Sequence, residues 1–397
     1  IHALATAPGK SGVAVTRLSG PRAFDVAGAL MTSLPKPRVA SVRALQDRDG
    51  ALIDEALVIV FDGDKSFSGE PTVEFQTHGS MAVISRLARV LSSFDGVRQA
   101  EPGEFTRRAL ENDQLSLLQV ESLADLIESE TEAQRRQAVN GFAGKVAERI
   151  ELWRHDLMHA ASLLEATIDF GDEDVPFDVT DEVDRSLARL SENITREING
   201  FTGADRIRSG FVVAIVGPPN VGKSSLLNAI AGRDVAIISE IAGTTRDVIE
   251  LRLDLDGIPV TFLDTAGLRE TDDVVEGLGV ERAMKRAESS DMRVHLVNPG
   301  EKPQLEVRDD DIVVVSKVDL SGHHGISAST GQGIEELLKN VSLRFKGIVN
   351  DAGILSWQRH VASAQDALEL ISVARTELKV GPDNYVIVAE EVRAAAR

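Results

Sequence analysis

Cysteine is absent from this chain of 397 residues, which excludes disulfides and thiolate metal sites together. Such a chain suits a reducing compartment, and the expectation is a cytoplasmic enzyme. Nothing approaches the run of about 18 apolar residues that a membrane span needs. Residues 1–6 (IHALAT) lack the basic start and long apolar stretch of a signal peptide. An initiator methionine is missing too, so the sequence is expected to begin inside its gene product. Positive charge is scarce: 43 Lys and Arg face 63 Asp and Glu, for a net charge of −20. That balance argues against broad electrostatic capture of nucleic acid, which needs cations to neutralise phosphates. A local basic patch, or an RNA held mainly by a partner, stays compatible with it. Solubility is the simplest service of the surplus acid. The rest of the composition is that of a globular protein too long for one core, with two or three domains expected.

What the chain does contain is a glycine loop in a telling setting. Residues 217–224 read GPPNVGKS, the pattern G-x-x-x-x-G-K-S. Before it, 211–216 (FVVAIV) is an apolar, β-branched run suited to a buried parallel strand. After it, 225–231 has helical composition and ends at Gly232. Strand, loop and helix make a phosphate cradle: Gly217 and Gly222 let backbone N–H groups turn inward, and the helix N-terminus adds a positive dipole end. Lys223 is expected to reach the β- and γ-phosphates and the Ser224 hydroxyl to ligate Mg²⁺.

Three later segments extend the pattern. The strand 260–263 runs into Asp264-Thr-Ala-Gly267, placing a carboxylate near Mg²⁺ and the Gly267 amide near the γ-phosphate. Between loop and strand, 243–247 (GTTRD) offers a threonine to complete the Mg²⁺ shell. The strand 312–315 leads into Ser316-Lys317-Val318-Asp319. Asp319 would accept hydrogen bonds from the guanine N1–H and exocyclic amine, an arrangement adenine does not offer. Ser327-Ala328 then offers a backbone amide for the guanine O6. This order is that of a Ras-like GTPase domain and not of P-loop kinases or ATPases, so the expected nucleotides are GTP and GDP.

Around that block the texture changes. Residues 1–115 alternate strand-like stretches at 12–18, 56–61 and 73–77 with a helical one at 82–91, the makings of an α+β domain. From 116 onward Val120, Leu123, Ala124 and Ile127 recur at helical spacing, followed by Ile150, Trp153, Leu157 and Ala161. An acidic break at 170–176 (FGDEDVP) separates two long helices, the second expected to start near Asp178. Val361, Ala364, Leu368 and Ile371 mark one more helical face. The expected domains are 1–115 (N-terminal α+β), 116–208 with 346–397 (helical) and 209–345 (GTPase), the last inserted between helical halves that pack together. The amphipathic stripes read as core.

Beyond the generic nucleotide set, residues 8–20 (PGKSGVAVTRLSG), 66–70 (SFSGE), 73–79, 101–107 (EPGEFTR) and 264–270 (DTAGLRE) are similar to blocks of the MnmE (TrmE) family of tRNA modification GTPases. The resemblance covers essentially the whole chain. It implies a multidomain α/β protein: an N-terminal α+β folate-binding-like domain that dimerises, a discontinuous all-α helical domain, and an inserted Ras-like P-loop GTPase domain. It implies that a GTP hydrolase works with an FAD-containing partner (MnmG, also called GidA). Together they install an aminomethyl-type group, such as carboxymethylaminomethyl, at C5 of the wobble uridine of certain tRNAs. The one-carbon unit comes from a formyl-tetrahydrofolate, with 5-formyltetrahydrofolate as the expected ligand.

Carried over by position, Arg17, Glu74 and Gln114 are the folate contacts. A pterin presents donors for a carboxylate, and an arginine can hold the ligand's anionic end. The alternative for Arg17 and Glu74 is a plain ion pair on a strand surface. Nucleotide contacts fall on Asn220, Val221, Gly222, Lys223, Ser224 and Ser225, then on Ser239, Ile241, Gly243, Thr244 and Thr245. Asp264, Gly267, Lys317, Asp319, Ser327 and Ala328 follow. Mg²⁺ falls to Ser224 and Thr245, and K⁺ to Asn220, Ser239, Ile241 and Thr244. A K⁺ there would supply the charge of an arginine finger, for which no arginine in the loop is a candidate, once a transient G-domain dimer closes it. Lys223, Gly267 and Glu276 are the catalytic set, with Glu276 positioning the hydrolytic water through a second water. Its alternative is one more solvated acid in an acidic loop.

The chain departs from the family pattern at three places. Gln114 stands where the family has lysine, which removes a charge from the folate site. Ser316 replaces the asparagine of N-K-x-D, from which weaker nucleotide binding with unchanged base choice is expected. The sequence stops at Ala394-Ala-Ala-Arg397 without the family's Cys-Ile-Gly-Lys tail, and truncation is the expected reason. A ribosome-assembly-type GTPase switch would share the nucleotide motifs, but with a basic RNA-binding module in place of residues 1–115. A folate-dependent one-carbon enzyme with a regulatory GTPase insert is the third reading.

Overall fold

The computed structural model describes residues 1–169, 179–233, 235–237, 250–264 and 285–397, and these form two compact units, Ile1–Glu121 and Ser122–Arg397. In the first, β1 (His2–Leu4), β2 (Ser11–Ser19), α1 (Ala23–Gly28), β3 (Ser41–Gln46), β4 (Leu52–Phe61) and β5 (Thr72–Gly79) come in turn. The strands make an antiparallel sheet ordered β1-β2-β5-β4-β3. Strict alternation decides its faces. Ala14, Thr16 and Leu18 of β2, Ala56, Val58 and Val60 of β4, and Val73 and Phe75 of β5 are buried. Leu87, Val90 and Leu91 of α2 (Met81–Ser92) close the core over them. Arg17 and Glu74, at the intervening positions, keep partial exposure on the other face. α3 (Glu104–Glu111) follows, and α4 (Leu117–Glu128) carries the chain into the second unit.

That unit begins with α5 (Glu132–Phe142), α6 (Lys145–Asp169), α7 (Thr180–Asn199) and α8 (Phe201–Ser209). Then come β6 (Phe211–Val216), α9 (Lys223–Ala231), β7 (Glu250–Leu255), β8 (Ile258–Asp264), β9 (Met292–Val297), β10 (Ile312–Val315) and the short α10 (Val318–Ser321). The sheet order is β10-β9-β6-β8-β7, parallel except for the β7–β8 hairpin. β6 lies at its centre, and Phe211, Val213, Ala214 and Ile215 have no exposure at all. A strand covered on both faces requires such an unbroken apolar run. α11 (Ile334–Asn350) packs Leu337, Leu338, Val341 and Phe345 into the same core, with Phe345 stacked on Phe211 at 4.2 Å.

The last helices, α12 (Gln358–Leu378) and α13 (Tyr385–Ala395), return to the first ones. α6 packs on α7 and α13, and α12 packs on α7 and α13, which closes a four-helix bundle. The helical stretches on either side of the parallel sheet therefore do pack together, as their stripes led us to expect. Arg375 meets Asp184 at 2.8 Å and Arg393 meets Glu165 at 2.9 Å across the bundle. Where the chain leaves the bundle and where it comes back are adjacent: the Gly353 N–H donates to the Gly200 carbonyl at 2.9 Å. A Cβ on Gly200 would lie 2.4 Å from that nitrogen, so nothing larger than glycine fits. Arg208, at the end of α8, stacks on Trp357 at 4.4 Å and donates to the Ser356 carbonyl at 3.0 Å.

A buried ionic cluster, invisible in the sequence, anchors the far edge of the sheet. Asp311 accepts hydrogen bonds from the Arg293 guanidinium, from the backbone N–H groups of Arg293 and Arg308, and pairs with His295 Nε2 at 3.0 Å. Burial pushes the Asp311 carboxyl up, but these donors, Arg293 first, hold it down at about 2. A carboxyl depressed on folding stabilises fully above its ordinary value of 3.8 and loses that contribution as pH falls through about 2. Asp311→Ala leaves the buried Arg293 charge without its carboxylate, with only the Glu306 carbonyl still accepting from it, and a loss of about 3 kcal/mol is expected. A urea titration reads it as a shifted midpoint at unchanged slope; a midpoint that does not move would show the cluster to be energetically idle.

Candidate active site

The glycine loop leaves the end of the central strand, and its backbone dictates its residues. Gly217 has φ of 153°, and a Cβ there would lie 2.3 Å from the Leu296 carbonyl oxygen on the neighbouring strand. Gly222, with φ of 108°, forms the N-cap of α9. Asn220 adopts a left-handed φ of 60°, a conformation that asparagine tolerates better than most side chains. α9 is held from below by Leu226, Leu227 and Ile230 in the core. Its unpaired first-turn N–H groups therefore point into the loop on a rigid mount.

Lys223 is 7% exposed and curls over the loop, donating from Nζ to the Gly217 carbonyl at 2.7 Å and the Pro218 carbonyl at 3.0 Å. Burial lowers its pKa, and the Asp264 carboxylate opposes that. The Ser224 hydroxyl donates to Asp264 Oδ2 at 2.6 Å. Two hard oxygen donors, a hydroxyl and a buried carboxylate, thus meet at the mouth of the loop, a donor set that fits Mg²⁺.

On the other side of the loop, Lys317 stands at a left-handed φ of 56° after β10 and donates from Nζ to the Asn220 carbonyl at 2.6 Å. That bond ties the segment carrying Asp319 to the glycine loop. Asp319 is exposed, and its carboxyl lies below the usual range, first through the Ser327 hydroxyl and then through that of Ser329. Ser316 turns away: its hydroxyl and N–H both donate to the Val297 carbonyl, at 3.3 and 2.9 Å. The Ser327 N–H donates to the Gln332 carbonyl at 3.0 Å, so the amide expected of the Ser327-Ala328 pair is left to Ala328.

In the first unit, Arg17 and Glu74 face each other across β2 and β5 and form the strand-surface ion pair, 2.8 Å apart. The Arg17 guanidinium also lies over the Phe67 ring at 4.9 Å and the Phe105 ring at 5.5 Å. Gln114 donates from Nε2 to the Asn112 carbonyl at 3.2 Å, and Asn112 in turn donates to the Ser68 carbonyl at 2.7 Å. The 66–70 loop therefore joins Gln114 to the Arg17–Glu74 pair. Sequence reasoning passed over Phe67 and Phe105 although both lie in blocks it singled out; aromatics beside an arginine-bearing strand were the available signal. Ser239, Ile241, Gly243, Thr244, Thr245, Gly267 and Glu276 lie outside the described residues, as does the expected helix start near Asp178.

Comparison with known proteins agrees over the full length. A family described as GTP-binding protein TrmE N-terminus matches residues 1–114, and one described as MnmE helical domain matches residues 117–397. The tRNA modification GTPase MnmE of Dinoroseobacter shibae is 54% identical over 400 residues, covering 100% of this chain and 93% of that protein. Its counterpart from Roseobacter denitrificans is 53% identical, with 100% and 93% covered. That of Parvibaculum lavamentivorans is 44% identical with the same coverage.

Proposed function

The chain belongs to the MnmE family of tRNA modification GTPases, a GTP hydrolase by that membership, and from this premise we propose how its residues divide the work. The observation that carries the reading is the bond of Lys317 to Asn220, which makes one continuous site of a phosphate cradle and a base-reading carboxylate. The loop amides and Lys223 hold the β- and γ-phosphates. Ser224, with Asp264 beside it, and Thr245 would hold Mg²⁺, which when bound offsets charge on the phosphates. Asn220, Ser239, Ile241 and Thr244 hold K⁺ once two GTPase domains meet. The Gly267 amide would meet the γ-phosphate, and Glu276 would orient the attacking water. Val221, Gly222, Ser225 and Gly243 line the phosphates, while Asp319 and Ala328 read guanine.

We further propose the division 1–115, 116–208 with 346–397, and 209–345. The N-terminal part serves as a folate site and homodimer contact in the cytoplasm. There Arg17, Glu74 and Gln114 would meet the one-carbon donor, with the Phe67 and Phe105 rings as flat apolar surface for a pterin. Acting with an FAD-containing MnmG-type partner, the protein would modify C5 of the wobble uridine. Single-turnover hydrolysis in K⁺ is expected to exceed that in Na⁺ by at least about tenfold, because the charge is supplied by a cation of one size. Equal rates in the two salts would remove the K⁺ assignment, and the same assay reads the contribution of Glu276. Unmodified wobble uridines in tRNA from a strain lacking the chain test the substrate.

A further inference from the structure

Ser316 raises a question about Asp319. A base-reading carboxylate must be aimed, and the side chain at the position where the family has asparagine bonds instead to β9. A different set of hydroxyls does reach the carboxylate. Ser329 donates to Asp319 Oδ2 at 3.1 Å, the Ser327 and Ser329 hydroxyls are 2.9 Å apart, and the Thr330 N–H donates to Ser327 Oγ at 3.3 Å. Ser329 has one proton, and Asp319 takes it; the Ser327 O–H then stands between two acceptors, the Asp319 carboxylate and Ser329 Oγ. The chain of donors is polarised toward the carboxylate throughout.

The loop carrying these hydroxyls is itself fixed. Ser327 has no exposed surface, the Ile326 N–H donates to the Val315 carbonyl at 2.8 Å, and the Gly331 N–H donates to the Ser327 carbonyl at 2.9 Å. A Cβ on Gly333 would lie 2.3 Å from the Gly325 carbonyl oxygen, so the loop closes on itself with no slack. Resting on the reading of Asp319 as the guanine contact, we propose that Ser329 is a specificity-determining positioning residue. By bonding Oδ2 it turns the carboxylate edge so that both oxygens meet the two guanine donors at once. Each carboxylate oxygen retains a second lone pair for the base.

The test uses the full chain and displacement of a fluorescent GDP by GDP, IDP and ADP. IDP keeps the N1–H of guanine but lacks the exocyclic amine, so it reports on the two-point contact. Ser329→Ala is expected to weaken GDP by about tenfold and IDP by less, so that the preference for GDP over IDP contracts. Ser329→Thr keeps the hydroxyl and should stay close to the parent in both. Affinity and preference within about twofold of the parent in Ser329→Ala would overturn the proposal. So would equal weakening of GDP and IDP, which marks a mere loop effect, or tighter GDP binding, which marks a hydroxyl competing with the base. A parent chain that binds ADP as well as GDP would overturn the reading of Asp319 itself, and that control tells the two failures apart.

Discussion

Lys223→Ala is expected to bind GTP and GDP at least about 100-fold more weakly than the parent chain. The Lys223 ammonium is in place before any ligand arrives. It is buried in the bowl of the loop, its water replaced by the Gly217 and Pro218 carbonyls. Those two neutral acceptors compensate a desolvated charge poorly, as its lowered pKa records. Anionic phosphate oxygens are far better acceptors, and the desolvation has been met before the ligand arrives. Alanine removes the only long cationic side chain that the loop places there among the described residues, while α9 keeps its core anchors. Circular dichroism should therefore be unchanged. Arginine is no substitute, because its planar fork does not fit the volume of a curled ammonium. Parental GDP affinity in the alanine variant, measured by isothermal titration, would refute the cradle.

The second large effect is a change of base. Asp319→Asn is expected to weaken GDP by about 100-fold and to raise affinity for XDP, since an amide offers one acceptor and one donor edge in place of two acceptors. Guanine presents two donors, N1–H and the amine. Xanthine replaces the amine with a carbonyl, which the asparagine N–H₂ can meet. The Ser329 and Ser327 hydroxyls remain to orient the amide, so the exchange should be a swap of preference and not a general loss. Competition assays with GDP and XDP on both proteins decide it; a variant that prefers neither base would place the base contact elsewhere.

Much of this was legible because phosphate and base chemistry demand particular residues close together in sequence. Gly217, Gly222, Lys223 and Ser224 fall within one loop, and β6 announces itself by six apolar residues in a row. Two of the helical stripes point inward, with Leu157, Ala161, Val361, Ala364 and Ile371 buried; the stripe on α4 does not, for none of its residues is buried, Ala124 is exposed and Ile127 is 77% exposed. What escaped notice were contacts between residues far apart in the chain. Nothing local tells Lys317 to reach Asn220, Ser329 to face Asp319, or Asp311 to gather Arg293, Arg308 and His295. Each of those side chains also reads as an ordinary solvated group, and only the parallel order of the strands brings them together. The departure at Ser316 was visible as a lost amide, but its new partner, the Val297 carbonyl, belongs to the neighbouring strand.

The contact between Gly200 and Gly353 bears on ancestry. An intervening stretch whose two ends already touch can be spliced into a host without displacing any host element. Closure entropy rises only with the logarithm of the inserted length, so a whole enzyme burdens the junction little more than a surface loop. The helical bundle closes on itself from both sides of that junction, and the parallel sheet has its own core. A helical scaffold can thus receive a nucleotide hydrolase at a single pair of glycines without losing its own closure.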